Sequence, residues 1–464
     1  MPTEFLSSDE IRAAFSAALS DMYRKEVPAY GTLLTLVAEV NEATLRASPE
    51  LRDRLEKTDS LDRISEERHG AIRVGTPGEL ATMRRIFAVM GMYPVGYYDL
   101  SDAGVPVHST AFRPVGAAAL SLNPFRVFTS LLRLDLIEDK GLRERARKVL
   151  DDRQIFTDEA LDLLDRAEAG GGLRDGDAMR FVAEVLETFR WHRGAAVDAE
   201  MYRSLHDAHR LIADVVSFRG PHINHLTPRT LDIDAVQRLM PEYGITPKAV
   251  IEGPPSRACP ILLRQTSFKA LEEPVLFPDA QGRMVEGRHT ARFGEIEQRG
   301  IALTPKGRSL YDRLLAEARS VVRPAADGSN VDDYRQALSQ AFKSFPDDWH
   351  EIRRQGLGYF SYSVDESQIS DVNRGAGLEA LIAAGIVHFD PIVYEDFLPV
   401  SAAGIFQSNL GDDSSAELAA SPNRSMFEDA LGAAVIDEFE HYRGIEAASL
   451  ARCRERLGEV ELAG

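Results

Sequence analysis

The sequence predicts a mixed α+β protein in which two strand-rich segments flank a long helical stretch. Three observations carry this. Short alternating or apolar runs bounded by Pro and Gly occupy residues 69–123 and again residues 219–303. Residues 124–218 read almost throughout as helix, a helical insertion or lid with Gly170-Gly171-Gly172 as a break. Residues 1–68 add N-terminal helices, and residues 304–464 read as a mixed C-terminal region. The two strand-rich halves are expected to pair in space across the insert.

Ser8-Asp9 can cap a first helix whose Ile11, Ala14, Phe15 and Leu19 fall at helical spacing, and a second helix covers residues 30–47. A short strand at Ala71, Ile72 and Val74 meets a Thr76-Pro77-Gly78 break, after which a helix starts with Glu79 in its first turn. Tyr93, Val95 and Tyr97 alternate as a strand, and Pro94 inside it implies an edge or a bulge. A third strand at residues 107–113 completes a β-α-β-β pattern. In the second half, a helix at residues 234–243 precedes the strand-like runs CPILLRQTSFKAL, PVLFP and RHTARFGEIEQRGIALT. Beyond them come a helix at residues 305–320, strands at 358–364 and 385–389, and one long final helix at 425–456.

Composition removes several function classes. The 464-residue chain carries 54 Lys plus Arg against 73 Asp plus Glu, a net charge of −19. Such a field repels nucleic acid backbones and anionic membranes, so any small anionic ligand needs a local cationic pocket. The two cysteines, Cys259 and Cys453, exclude a disulfide framework and a Cys-ligated metal cluster. The N-terminus lacks the pattern of a signal peptide, and no run approaches the ~18 apolar residues of a membrane span. A cytoplasmic location is the expectation.

No phosphate-cradling GxGxxG or GxxxxGK[ST], no GxSxG elbow and no HExxH occurs. Eleven histidines remain the informative residues. His206 and His209 sit three apart on a polar helix, where a solvated face is the simpler reading. His192, His350, His388 and His441 stand alone, and His108 and His289 on strands are possible supporting residues. Three places differ. His69 opens HGAIRVG at a strand start. His222 and His225 lie in RGPHINHLTPR, whose composition no packing need explains. Glu295 and Glu297 share one face of RFGEIEQRG among apolar neighbours, and a buried carboxylate needs a partner or a metal. Two imidazoles and a carboxylate on separate strands would form the facial triad of non-haem Fe(II) sites. Arg73 falls on the same face as His69, about 13 Å away at Cα if extended, where it could grip the far carboxylate of a ligand whose near end is on the metal. A salt bridge to Glu66, Glu67 or Glu79 is the plainer alternative.

Four segments carry a resemblance: HGAIRVGTPGELATMRRIFAVMGMYPVGYYDLSDAGVPVHSTAFRP, FRGPHINHLTPRTLDID, TARFGEIEQRGIALTPKGRSLYD and YEDFLPVSAAGIFQSNL. They resemble the 2-oxoadipate dioxygenase/decarboxylase (hydroxyglutarate synthase) family, and the likeness runs over nearly the whole chain. The resemblance implies a single enzyme unit with a vicinal-oxygen-chelate-like, half-open β-barrel of paired βαβββ modules around one metal. It places the metal ligands at His69, His225 and Glu295, with Glu297 as the fallback carboxylate. Arg73 takes the place of the substrate-gripping arginine, and Val400 and Ser401 fall in a loop expected to touch substrate, as do His69 and His225. His222 receives no role. The implied reaction is Fe(II)-dependent: 2-oxoadipate and O2 give 2-hydroxyglutarate and CO2, as in lysine breakdown, with no nucleic acid or membrane partner. The same ligands would also suit Zn2+ or Mn2+ in an isomerase, lyase or hydrolase acting on a 2-oxo acid. A non-catalytic acidic binding protein with structural histidines is the third possibility.

Overall fold

A computed structural model describes residues 5–57, 61–325, 328–367, 377–397 and 423–457. The chain divides into two compact units. The first comprises Met1–Glu252, Gln265–Gln298 and Phe397–Val435, and the second Gly253–Arg264, Arg299–Asp396 and Ile436–Gly464. The second is assembled from three separated segments, a division that no linker or composition change marks in the chain.

The first unit is built on strands β1 (Arg68–Val74), β2 (Tyr93–Asp99), β3 (Val107–Arg113), β4 (Arg126–Leu132) and β5 (Leu226–Pro228), in sheet order β2-β3-β4-β1-β5. The β1–β4 pair is parallel and the others are antiparallel. With the helix Pro77–Val89 after β1 and the short helix Ala117–Leu122 between β3 and β4, the first half reads β-α-β-β-α-β. The sequence reading missed β4, placing its residues at the start of the helical insert. RVFTSLL shows no alternation because the strand is central and buried along its whole length. The insert's helices occupy Lys140–Asp151, Asp158–Gly170, Asp175–Phe189, Ala199–Ala208 and Arg210–Ser217. The expected break falls at Gly171, whose left-handed φ of 73° closes the second of them.

Period 2 divides the sheet residues between two cores. Ile72, Val74, Phe112, Val127 and Leu131 pack with the helices Ser8–Glu26, Pro28–Ala47 and Pro77–Val89. Ala71, Ala111, Phe128 and Leu132 pack on the other face with Leu142, Leu211, Val215 and Phe397. His69 and Arg73 alternate with Ala71 and so belong to this second face. The first helix is capped by Ser7, one residue before the expected start, because Ser7 and Glu10 form a reciprocal capping box. Pro94 sits as expected: β2 is an edge strand with a bulge between Val95 and Tyr97.

Farther along the chain, the helix Ile233–Leu239 follows β5; β6 (Leu263–Ser267) pairs with β9 (Glu295–Arg299), and β7 (Glu272–Pro278) with β8 (Met284–Thr290). The run read as one strand from RHTARF into GEIEQRG is broken at Gly294, where a Cβ would come within 2.1 Å of the Phe268 ring. Beside β5, Arg229 bridges Glu297 in parallel, and the Thr230 N–H donates to the Glu297 carbonyl at 2.8 Å. Among the described strands the five-stranded sheet is therefore open, and the separate β6–β9 pair meets it through this one bridge, not as a closed barrel.

Gly70 permits a close approach between β1 and the His225 segment. A Cβ there would meet Ile223 Cδ1 at 2.5 Å and the His225 carbonyl at 2.9 Å. Gly70→Ala is expected to push the His225 segment off β1, costing ~1–3 kcal/mol of stability and weakening metal binding; denaturant titration and metal titration of the variant check both.

The second unit packs β10 (Phe360–Val364) against β11 (Val387–Pro391) with the helices Pro305–Val321, Val331–Ala341 and Glu438–Leu457. The long final helix expected over residues 425–456 is two, Asn423–Leu431 and Glu438–Leu457. Gly432, at φ 69°, ends the first. Among the described residues no helix is long and apolar enough to cross a membrane.

Candidate metal centre

Three chain segments meet on the second face of the sheet. The Asn224 N–H donates to the Ala71 carbonyl at 3.0 Å, and the Phe293 N–H donates to the Asn224 carbonyl at 3.1 Å. The buried Tyr23 hydroxyl lies 2.7 Å from the Phe293 carbonyl and 3.0 Å from that of Asn224. These contacts register β1, the segment before β5 and the start of β9, and so bring His69, His225 and Glu295 together.

Their donor atoms lie within 4.8 Å of one another, and all three residues are buried. Among the described residues no other His, Cys, Asp and Glu group is this close. Bonds from imidazole or carboxylate to one ion run about 2.0–2.2 Å, so modest inward movement brings all three into range. Both ring nitrogens of His225 and Oε2 of Glu295 are buried without a hydrogen-bond partner. Unsatisfied buried polar atoms are rare and costly. A cation between them would take one ring nitrogen of His225 and Oε2 of Glu295, so the residues fit a metal.

The two glutamates of β9 differ in what they touch. Glu295 Oε1 lies 3.0 Å from His69 Nε2 and accepts from Gln265 Nε2 at 3.0 Å and from Thr227 Oγ1 at 3.3 Å. Those contacts fix one oxygen and leave the other facing the site. Glu297 instead lies 3.2 Å from His69 Nδ1, on the far side of the ring, and accepts from Arg126 Nη2 at 2.7 Å. Behind it, Glu67 pairs with Arg229 at 2.9 Å. Phe397 packs edge-on against the His69 ring at 4.9 Å, and Phe293 lies 4.9 Å from that of His225.

Burial pushes the His225 pKa well below the usual histidine range, and the charges of His69 and Arg73 add to this, so its ring is neutral and able to donate an electron pair. Burial opposes charge on His69 as well, but Glu297 and Glu295 outweigh it and hold its pKa above the ordinary value. Glu295 is raised by burial despite His69. On Glu297 the effect of burial is overcome by Arg126 and His69, and its carboxyl stays below the usual range. Burial pushes Lys248 down to about 8, against the opposing charges of Glu252 and Glu295.

Arg73 does not pair with Glu66, Glu67 or Glu79. Its Nη1 donates to Asp214 Oδ2 at 2.5 Å, while Glu79 is held by Arg153 and Glu67 by Arg229. His222 and His289 also reach Asp214. His209 caps the helix Arg210–Ser217, accepting from the Leu211 N–H, and His108 lies beside Tyr97 and Phe427. Val400 and Ser401 lie outside the described residues. Sequence reasoning missed Arg126, because its strand was read as helix, and Asp214. The signal for Asp214 was an acid inside RLIADVVS, a helix whose residues from Leu211 to Ser217 are all buried.

A family model described as 2-oxoadipate dioxygenase/decarboxylase matches residues 15–409. The chain belongs to this family. The 2-oxoadipate dioxygenase/decarboxylase of Pseudomonas putida is 59% identical over 457 residues, covering 98% of each chain, and that of Escherichia coli is 56% identical over 451 residues, covering 97% of this chain and 98% of its own. The crystal structure of the Pseudomonas putida hydroxyglutarate synthase in complex with 2-oxoadipate superimposes with a TM-score of 0.90 at 58% identity, over 98% of this chain and 99% of that one.

Proposed function

We propose that this chain is an Fe(II)-dependent enzyme that converts 2-oxoadipate and O2 into 2-hydroxyglutarate and CO2, a step suited to lysine breakdown. The observation that carries this is the buried His69–His225–Glu295 group with its unsatisfied donor atoms, in a member of a family named for this chemistry. We also read the β-α-β-β-α-β first half, and the β5-to-β9 half that meets it at the Arg229–Glu297 bridge, as a vicinal-oxygen-chelate-like half-open barrel around that group.

His69, His225 and Glu295 hold the metal. Bound Fe(II) supplies a Lewis-acidic template with open positions for the 2-oxo acid and for dioxygen. Glu297 Oε2 stands 3.2 Å from His69 Nδ1, behind the ring and away from Nε2, and Arg126, which reaches both Nδ1 and Glu297, keeps Glu297 ionised there. The rings of Phe397 and Phe293 exclude water beside the two imidazoles. Arg73 meets the distal carboxylate of the substrate and orients the chain so that its keto end faces the metal. Val400 and Ser401 complete the substrate contacts in this reading.

Metal exchange tests the choice of iron. Apoprotein reloaded with Fe(II) is expected to consume O2 with 2-oxoadipate, and the same protein loaded with Zn2+ to bind the acid without consuming O2. Turnover of 2-oxoadipate by the Zn2+ form without O2 uptake would move the chain to isomerase, lyase or hydrolase chemistry.

A further inference from the structure

The buried carboxylate of Asp214 belongs neither to the metal group nor to a structural ion pair of the ordinary kind. Three segments converge on it. From β1, Arg73 Nη1 donates to Oδ2 at 2.5 Å. From β8, His289 Nε2 lies 2.9 Å from Oδ1, and from the segment before β5, His222 Nε2 lies 3.3 Å from the same oxygen. Tyr202, on the helix Ala199–Ala208, places its hydroxyl 2.8 Å from His289 Nδ1. Trp191 packs edge-on against His222 at 4.6 Å and lies parallel to His289 at 6.1 Å.

We propose that Asp214, held by His222 and His289, is a positioning residue that sets where the Arg73 guanidinium stands relative to the metal group, and thereby the chain length of the 2-oxo diacid the site accepts. The inference rests on the function proposed above. Its physical basis is the mismatch between a flexible side chain and a length-selective task. A guanidinium on a three-methylene stem discriminates a six-carbon diacid from its neighbours only if its own position is fixed.

Asp214 supplies that fixed point from the insert's last helix, Arg210–Ser217, which is buried from Leu211 to Ser217. The two imidazoles solve a charge problem. A diacid arriving at Arg73 asks one guanidinium to serve two carboxylates. With one of its oxygens already facing His222 and His289, Asp214 remains satisfied when the substrate's carboxylate takes a share of Arg73. Tyr202 in turn holds His289 through Nδ1, leaving Nε2–H to donate to Asp214.

The test compares binding and turnover of 2-oxo diacids of five, six and seven carbons by wild type, Asp214→Asn and His289→Gln. Asp214→Asn keeps the shape and removes the charge; His289→Gln keeps a donor of different reach. Both variants are expected to raise KM for the six-carbon acid about tenfold with a smaller change in kcat, and to shrink its advantage over the five- and seven-carbon acids by a similar factor. Calorimetry with the Zn2+-loaded protein, where no turnover is needed, should show the same loss of length preference with metal stoichiometry intact. Equal loss for all three acids, or an unchanged preference, would overturn the positioning role. Should Asp214→Asn fail to fold, His289→Gln carries the same comparison. Wild type binding none of the three acids would instead remove the proposed function, and this inference with it.

Discussion

Glu295→Gln is expected to abolish tight metal binding, whereas Glu297→Gln should retain one site per chain at reduced affinity. The two residues share a strand face and stand two apart, yet their surroundings separate them. Glu295 has one oxygen held by His69, Gln265 and Thr227 and the other buried without a partner beside His225. Removing its charge deletes one of three donors, so affinity should fall about a thousandfold, as expected when binding energy is shared among so few ligands. Glu297 reaches His69 on the opposite ring nitrogen and is neutralised by Arg126. Its loss leaves all three donors in place but frees the imidazole to rotate or change tautomer, an effect of about 10–100-fold on metal affinity. Titration of each apoprotein with Co2+, followed by its visible absorption, reads both affinity and geometry without relying on activity. Retained tight binding in Glu295→Gln together with its loss in Glu297→Gln would exchange the two roles.

Arg73→Ala should lower kcat/KM for 2-oxoadipate by about 100- to 1,000-fold, corresponding to ~3–4 kcal/mol for deleting one member of a desolvated charge pair. Metal affinity should change little, because Arg73 donates to Asp214 and not to a metal-site carboxylate. Part of the cost will be stability, since a buried Asp214 loses its cation while keeping His222 and His289. Arg73→Lys separates the effects: it keeps the charge and loses the planar fork, so folding should be nearly normal and kcat/KM still about tenfold down. Parallel measurements of Fe(II) affinity and steady-state kinetics check this. Equal losses of metal binding and turnover would refute a substrate-gripping role.

What the sequence made legible follows from which signals are local. The β-α-β-β start could be read because Thr76-Pro77, Glu79 and Pro94 act on their own neighbourhood: Thr76 and Glu79 form the capping box, and Pro94 marks the bulged edge strand. β4 was illegible because a strand buried on both faces has no period to detect, and RVFTSLL resembles a helix segment until its partners β1 and β3 are known. The metal group was suggested by residue type and assigned by resemblance, since spacing alone cannot show that residues 69, 225 and 295 converge. The choice between Glu295 and Glu297 depended on Arg126, Gln265 and Thr227, which lie on other strands. The acid that meets Arg73 was out of reach for the same reason. Asp214 is 141 residues away in sequence, and only the packing of the insert's last helix on the sheet brings it to β1.

Oxygen-electrode recording of the anaerobically reconstituted Fe(II) protein with 2-oxoadipate, with CO2 and product measured in the same sample, tests the central claim most directly. One O2 consumed for each CO2 and each 2-hydroxyglutarate formed, and none in His69→Ala or Glu295→Gln, is the expected result. Fully loaded Fe(II) protein that binds 2-oxoadipate yet consumes no O2 would contradict it.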